Sequence, residues 1–125
     1  MQRNIVGKWL TFFLALCFTL SVFARETAPG LREVAYGALP AEAKTTLALI
    51  RQGGPFPFPK DGVVFGNYEK SLPRQARGYY HEFTVKTPGS RNRGARRIIT
   101  GGIPPQPLEY FYTEDHYATF WRIQQ

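Results

Sequence analysis

The chain has 125 residues with one cysteine and two histidines, and it carries a formal net charge of +7. That length leaves room for one domain and no second one, and a single cysteine excludes an internal disulfide framework and a finger-type zinc site. The positive charge suits polyanionic partners through phosphate neutralisation and steered encounter, or serves solubility alone; charge by itself weighs the two evenly.

Residues 1–24 read as a cleaved secretory signal. Arg3 and Lys8 give a basic start, Trp9 to Phe23 is an almost unbroken apolar run, and Val22-Phe23-Ala24 supplies modest side chains for a signal peptidase. The run is short for a retained anchor, which needs about 20 apolar residues. Leu16 is too large, and the residues after Cys17 too apolar, for a lipidation site at that cysteine. Cleavage after Ala24 predicts a secreted or extracellular (or periplasmic) domain over residues 25–125, a monomer with no stable membrane association. Losing Arg3 and Lys8 lowers the net charge from +7 to +5. The exported domain then holds no cysteine and must rest on its core, which its aromatic residues can supply.

Residues 25–37 lack periodicity and read as an extended lead-in. From Leu39 to Arg51 the spacing of Ala43, Leu47 and Ile50 predicts a helix with one apolar face, with Pro40 in its first turn and Gly53-Gly54-Pro55 as its stop. Three prolines make residues 54–60 a connector that sets Phe56 or Phe58 on the core. Val63-Val64-Phe65 reads as a short strand after the Asp61-Gly62 turn.

An antiparallel meander follows. Tyr79 to Lys86 alternates, with Tyr79, His81, Phe83 and Val85 on one face and Tyr80, Glu82, Thr84 and Lys86 on the other. Pro88-Gly89 turns into a strand from Ala95 to Thr100. Gly101-Gly102 and Pro104-Pro105-Gln106-Pro107 form a loop, and Tyr117 to Ile123 closes the sheet. The predicted class is α+β, one N-terminal helix packed on a twisted antiparallel sheet.

Four residues stand out chemically. Glu82 is a carboxylate within a strand, unexpected there unless it faces solvent or has partners. A hairpin at Pro88-Gly89 returns Arg93 and Arg97 beside it. Being four apart on a strand, the two guanidinium groups share a face and form an anion site. The bland alternative for this arginine-rich run is a solvated or general nucleic-acid patch, to which Arg91 and Arg96 are assigned. His116 supplies a group whose proton exchanges near neutral pH. His81 faces away from Glu82 and reads as structural. Two histidines without ligand spacing give no metal site, and nothing supplies a nucleophilic triad. A base, an anion clamp and an acid suit in-line displacement at phosphate.

Several runs, in order, resemble the microbial guanyl-specific ribonucleases, the N1/T1 and barnase family and most of all its streptomycete branch. They are Leu39-Pro40-Ala41-Glu42-Ala43, Gly54-Pro55-Phe56-Pro57, Asp61-Gly62-Val63-Val64-Phe65-Gly66-Asn67, Gly78-Tyr79-Tyr80-His81-Glu82, Thr87-Pro88-Gly89, Arg96-Arg97-Ile98-Ile99-Thr100-Gly101 and Asp115-His116-Tyr117-Ala118-Thr119-Phe120.

The resemblance implies the microbial ribonuclease fold and cleavage of single-stranded RNA 3′ of guanosine, through a 2′,3′-cyclic phosphate that is then hydrolysed. It implies Glu82 as base, His116 as acid, and Arg93, Arg97 and Tyr117 on the phosphate oxygens, without metal or cofactor. It maps guanine selection onto Phe65, Gly66, Asn67, Tyr68 and Glu69. There Glu69 accepts from the base's N1–H and N2–H₂, backbone N–H groups around Asn67 meet O6, and Phe65 and Tyr68 supply faces. It also implies a barstar-like intracellular inhibitor as partner. The exported chain departs from the streptomycete pattern in lacking a disulfide, and its proline loop looks longer. A non-catalytic basic module binding single-stranded nucleic acid is the alternative reading.

Overall fold

The structure, a computed structural model, describes residues 31–102 and 106–124. The expected signal segment and the first part of the lead-in lie outside these residues, as do Pro104 and Pro105 of the proline loop. Five strands form one sheet in the order β1-β5-β4-β3-β2: β1 Arg32–Ala35, β2 Tyr80–Thr84, β3 Arg97–Gly101, β4 Glu109–Thr113 and β5 Trp121–Gln124. The one α-helix, α1, spans Ala41–Gln52.

Helix α1 forms where the apolar spacing places it. Ala43, Leu47 and Ile50 are all buried. Pro40 caps the helix rather than entering it, and its carbonyl accepts from the Ala43 and Lys44 amides. Gly53 closes the other end at φ 83°, a left-handed conformation that glycine adopts without a Cβ clash; its amide and that of Gly54 donate to Ile50 and Leu49. The Thr46 hydroxyl donates to the Thr84 carbonyl at 3.0 Å, tying the helix to the strand that carries Glu82.

The sheet is buried on both faces. Against α1 lie Phe83, Val85, Ile98, Tyr110, Tyr112 and Ile123, and on the opposite face Tyr80, Ile99, Phe111 and Phe120 pack with Leu72. Alternation in β2 is thus as expected, with Phe83 and Glu82 on opposite sides. Val63-Val64-Phe65 makes only a single bridge to β2, with Phe65 and Gly62 donating to the Tyr80 and Glu82 carbonyls and Val63 accepting from the Glu82 amide.

Three expectations are corrected. The sheet is mixed, because part of the supposed lead-in is strand β1, which pairs in parallel with β5 in the register Arg32↔Trp121 to Ala35↔Gln124. An additional strand, β4, lies between β3 and β5. The closing strand begins at Trp121, not Tyr117, because His116 and Tyr117 take left-handed backbone at φ 54° and 73° and cannot continue a strand.

Candidate active site

Register assembles the site on the face opposite α1. Residues directly opposite one another in a sheet share a face. Thr84 faces Arg97 and Arg97 faces Thr113, while Glu82 faces Ile99 and Ile99 faces Phe111. One end of three adjacent strands therefore presents Thr84, Arg97 and Thr113 in a row, with Glu82 one step further along.

Each member of that row holds a functional side chain. The Thr84 hydroxyl accepts from Arg93 Nε at 3.0 Å, and Arg93 Nη2 reaches Glu82 Oε1 at 2.9 Å. Arg93 is not on a strand, since β3 begins only at Arg97. The two arginines meet because the loop before β3 folds back over β2, not because they share a strand face as expected. Thr113, with no exposed surface, accepts from the Tyr117 amide at 3.2 Å and donates to Asp115 Oδ1 at 2.9 Å.

Asp115 in turn accepts from the Thr119 amide at 2.9 Å and the Thr119 hydroxyl at 2.6 Å. The Thr119 hydroxyl, above all, holds the Asp115 carboxyl below its ordinary range. This small network fixes the turn that carries His116 and Tyr117. The His116 amide also donates to the Ala95 carbonyl at 3.0 Å, docking the turn beside the arginine loop.

Glu82 is 9% exposed and has a donor on each oxygen. Arg93 takes Oε1, and the Tyr117 hydroxyl donates to Oε2 at 2.6 Å. Burial, and then the bond to the Glu82 carboxylate, push the Tyr117 phenol up to about 12, so it stays a donor across the neutral range. Arg97 is 2% exposed and spends Nη1 on the Arg96 and Gly94 carbonyls, while its Nε is buried without a partner among the described residues. Its guanidinium carbon lies 6.0 Å from the centre of the Tyr117 ring, and the His116 ring is 4.7 Å from that centre. Tyr117 is thus the hub that joins carboxylate, arginine and imidazole.

A cavity of about 300 Å³ opens beside Glu82, lined by Val64, Phe65, Gly66, Asn67, Tyr68, Glu69, Ser71, Tyr117 and Phe120 as well. All six residues expected to bind the base or phosphate contribute to it. The Asn67 backbone is left-handed, φ 53°, and its side-chain amide exchanges two hydrogen bonds with the Leu72 main chain, at 3.0 and 3.1 Å. That clasp holds the loop open. The Phe65 ring stacks in a tilted manner on Tyr117 at 4.9 Å, and Tyr68 stands at the rim, 82% exposed. Glu69 is exposed and makes no hydrogen bond or ion pair with any described residue.

This is a cleft with an acceptor, two cations, a mobile-proton ring and an adjoining flat cavity. The family model for ribonuclease matches residues 24–124. The chain belongs to the ribonuclease family. It is 60% identical over 90 residues to guanyl-specific ribonuclease Sa3 of Kitasatospora aureofaciens, covering 72% of this chain and 62% of that protein. Over 92 residues it is 59% identical to guanyl-specific ribonuclease Sa of the same organism, covering 74% of this chain and 93% of the relative. A solved structure of ribonuclease Sa2 in complexes with mononucleotides superposes with a TM-score of 0.72 at 50% identity, covering 78% of this chain and 98% of that one. The chain thus spans less than two thirds of Sa3 but nearly all of Sa and Sa2.

Among the residues of this ribonuclease-family site, Thr84, Thr113, Asp115 and Thr119 escaped the reading of the sequence. The one available signal was the Thr113-x-Asp115-x₃-Thr119 spacing, which suits side chains closing a turn around their own backbone.

Proposed function

We infer that this protein is a guanyl-preferring endoribonuclease cutting single-stranded RNA on the 3′ side of guanosine. The carrying observation is the Glu82 carboxylate, held by Arg93 and Tyr117 at the edge of a cavity whose far wall is Glu69. The relatives' guanyl specificity supports the same reading.

Glu82 takes the proton of the ribose 2′-hydroxyl as its oxygen attacks the adjacent phosphorus. His116, as imidazolium, gives a proton to the departing 5′-oxygen, leaving a 2′,3′-cyclic phosphate. Hydrolysis runs the roles in reverse: His116 takes a proton from water and Glu82 returns one to the 2′-oxygen. Acid and base each contribute about 10²–10⁴-fold when correctly placed. Arg93 and the free side of Arg97 meet the non-bridging oxygens, where charge grows in the transition state. Tyr117 turns its hydroxyl from Glu82 toward the same oxygens.

Glu69 selects guanine by accepting from N1–H and N2–H₂, a pair that adenine cannot present. Cleavage of GpU should exceed that of ApU by on the order of 10²–10⁴-fold, the penalty of leaving a site's polar group unpaired, moderated because Glu69 is exposed. A metal chelator should leave the rate unchanged. Equal rates on the two dinucleotides would remove Glu69 from its role.

The same reading includes export through residues 1–24, checked by finding Arg25 at the N-terminus of the protein in culture medium. An acidic intracellular inhibitor of the barstar type would cover the cationic cleft before export, and a 1:1 complex that blocks GpU cleavage is the matching observation.

A further inference from the structure

A second cavity, of about 250 Å³, lies on the other side of the guanine-selecting loop, and the proposed function does not use it. The two cavities share Phe65, Gly66, Asn67 and Tyr68 as a common wall. Glu82, Glu69 and Tyr117 face only the first; Lys70, Arg74 and Arg77 face only the second. Among the residues lining the second there is no acid.

The backbone builds this division. Lys70 takes φ 58°, a conformation that residues other than glycine rarely adopt, and its amide donates to the Asn67 carbonyl at 3.0 Å. The turn sends the adjacent Glu69 and Lys70 into opposite cavities. Arg77 Nη1 donates to the Tyr68 hydroxyl at 3.2 Å, so the exposed Tyr68 ring bridges the wall and the basic side. Arg74 is exposed and makes no ion pair with any described residue.

We propose that Lys70, Arg74 and Arg77 form a subsite for the phosphodiester on the 5′ side of the selected guanosine. The inference rests on the ribonuclease reading of the neighbouring cleft. With guanine in the first cavity and its 3′-phosphate at Glu82 and His116, the downstream strand leaves past His116. The upstream strand must then leave around the recognition loop, where three cations converge and no carboxylate opposes them. Such a site meets the backbone by charge and is indifferent to the upstream base.

The test compares kcat/KM for GpU, UpGpU and GpUpU at low salt. Wild-type protein should cleave UpGpU faster than GpU. Arg74→Gln should lower the UpGpU rate by about three- to fivefold, the scale of one exposed ion pair, and leave GpU and GpUpU unchanged. Adding Lys70→Gln should deepen the UpGpU loss to about tenfold and flatten its dependence on log salt by about 0.7 per phosphate released. Arg74→Lys should recover most of the rate.

Wild-type protein that cleaves GpU but gains nothing from the upstream nucleotide would overturn the subsite alone. So would an Arg74→Gln loss shared by GpU, or one confined to GpUpU. Wild-type protein inert on all three substrates would overturn the ribonuclease reading, and the subsite with it.

Discussion

Tyr117 does more than its expected contact with phosphate. Its hydroxyl orients Glu82, while its ring supports Phe65 and lies against His116 and Arg97. Tyr117→Phe separates these duties, because the ring stays and only the hydroxyl goes. Its loss should lower kcat by about tenfold, as expected for one hydrogen bond to a charged group, while stability changes by about 1 kcal/mol or less. Chromatographic assay of GpU cleavage beside urea unfolding checks both; an unchanged kcat would confine the hydroxyl to a resting-state contact. Arg97 carries a similar double load, with Nη1 pinning the arginine loop and Nε left over. The sequence marks Arg97 as a clamp but not as a brace, because its brace partners are backbone carbonyls that no side-chain pattern announces.

At the level of elements, helix α1 and strands β2 and β3 were legible because one face of each is apolar with the right period. Strand β4 was not, since Glu-Tyr-Phe-Tyr-Thr buries both faces and follows a proline-rich stretch that looks like continuous loop. β1 was hidden for a different reason: it is short and mostly exposed, and only its parallel pairing with the distant β5 makes it a strand. Glu82, His116 and the recognition loop were legible through resemblance; the way the arginines meet was not, because Arg93 comes from a loop whose path depends on tertiary contacts.

The Thr113–Tyr117 turn belongs to this scale too. Asp115→Ala removes three hydrogen bonds from the turn without touching substrate. Its effect should appear in kcat far more than in KM for GpU, with a reduction of about tenfold from a misplaced acid. An equal fall in activity for Glu82-independent binding of 3′-GMP would instead point to collapse of the cleft. Because the carboxyl is held below its ordinary value, its support of the turn is complete above that value and is lost as pH falls through the lowered one.

For the molecule as a whole, alkaline pH is the sharper probe. The bond to Glu109 pushes the Tyr79 phenol up to about 12; burial does the same for Tyr117, and raises Tyr80 and Tyr112 as well. Raised values mean that the folded state holds these protons more tightly than the unfolded chain. Their contribution is therefore present in full below about pH 10, the ordinary tyrosine value, and declines as pH climbs through the folded values. Chemical unfolding followed from pH 8 to 12 should show stability falling steeply above 10, less steeply in Tyr117→Phe. A flat profile would contradict the buried-phenol arrangement. The two faces of the sheet share this burden: one holds the helix, and the other holds the cleft by packing Tyr80, Ile99 and Phe111 beneath it.

The most direct test of the account measures GpU turnover and 3′-GMP affinity side by side in wild-type protein and Glu82→Gln. The substitution keeps size and hydrogen bonding but removes the proton acceptor. Turnover should fall by about 10²–10⁴-fold, with nucleotide affinity changed by no more than a few-fold. Turnover close to wild type in Glu82→Gln would contradict the account, because the proton of the 2′-hydroxyl would then be leaving by another route.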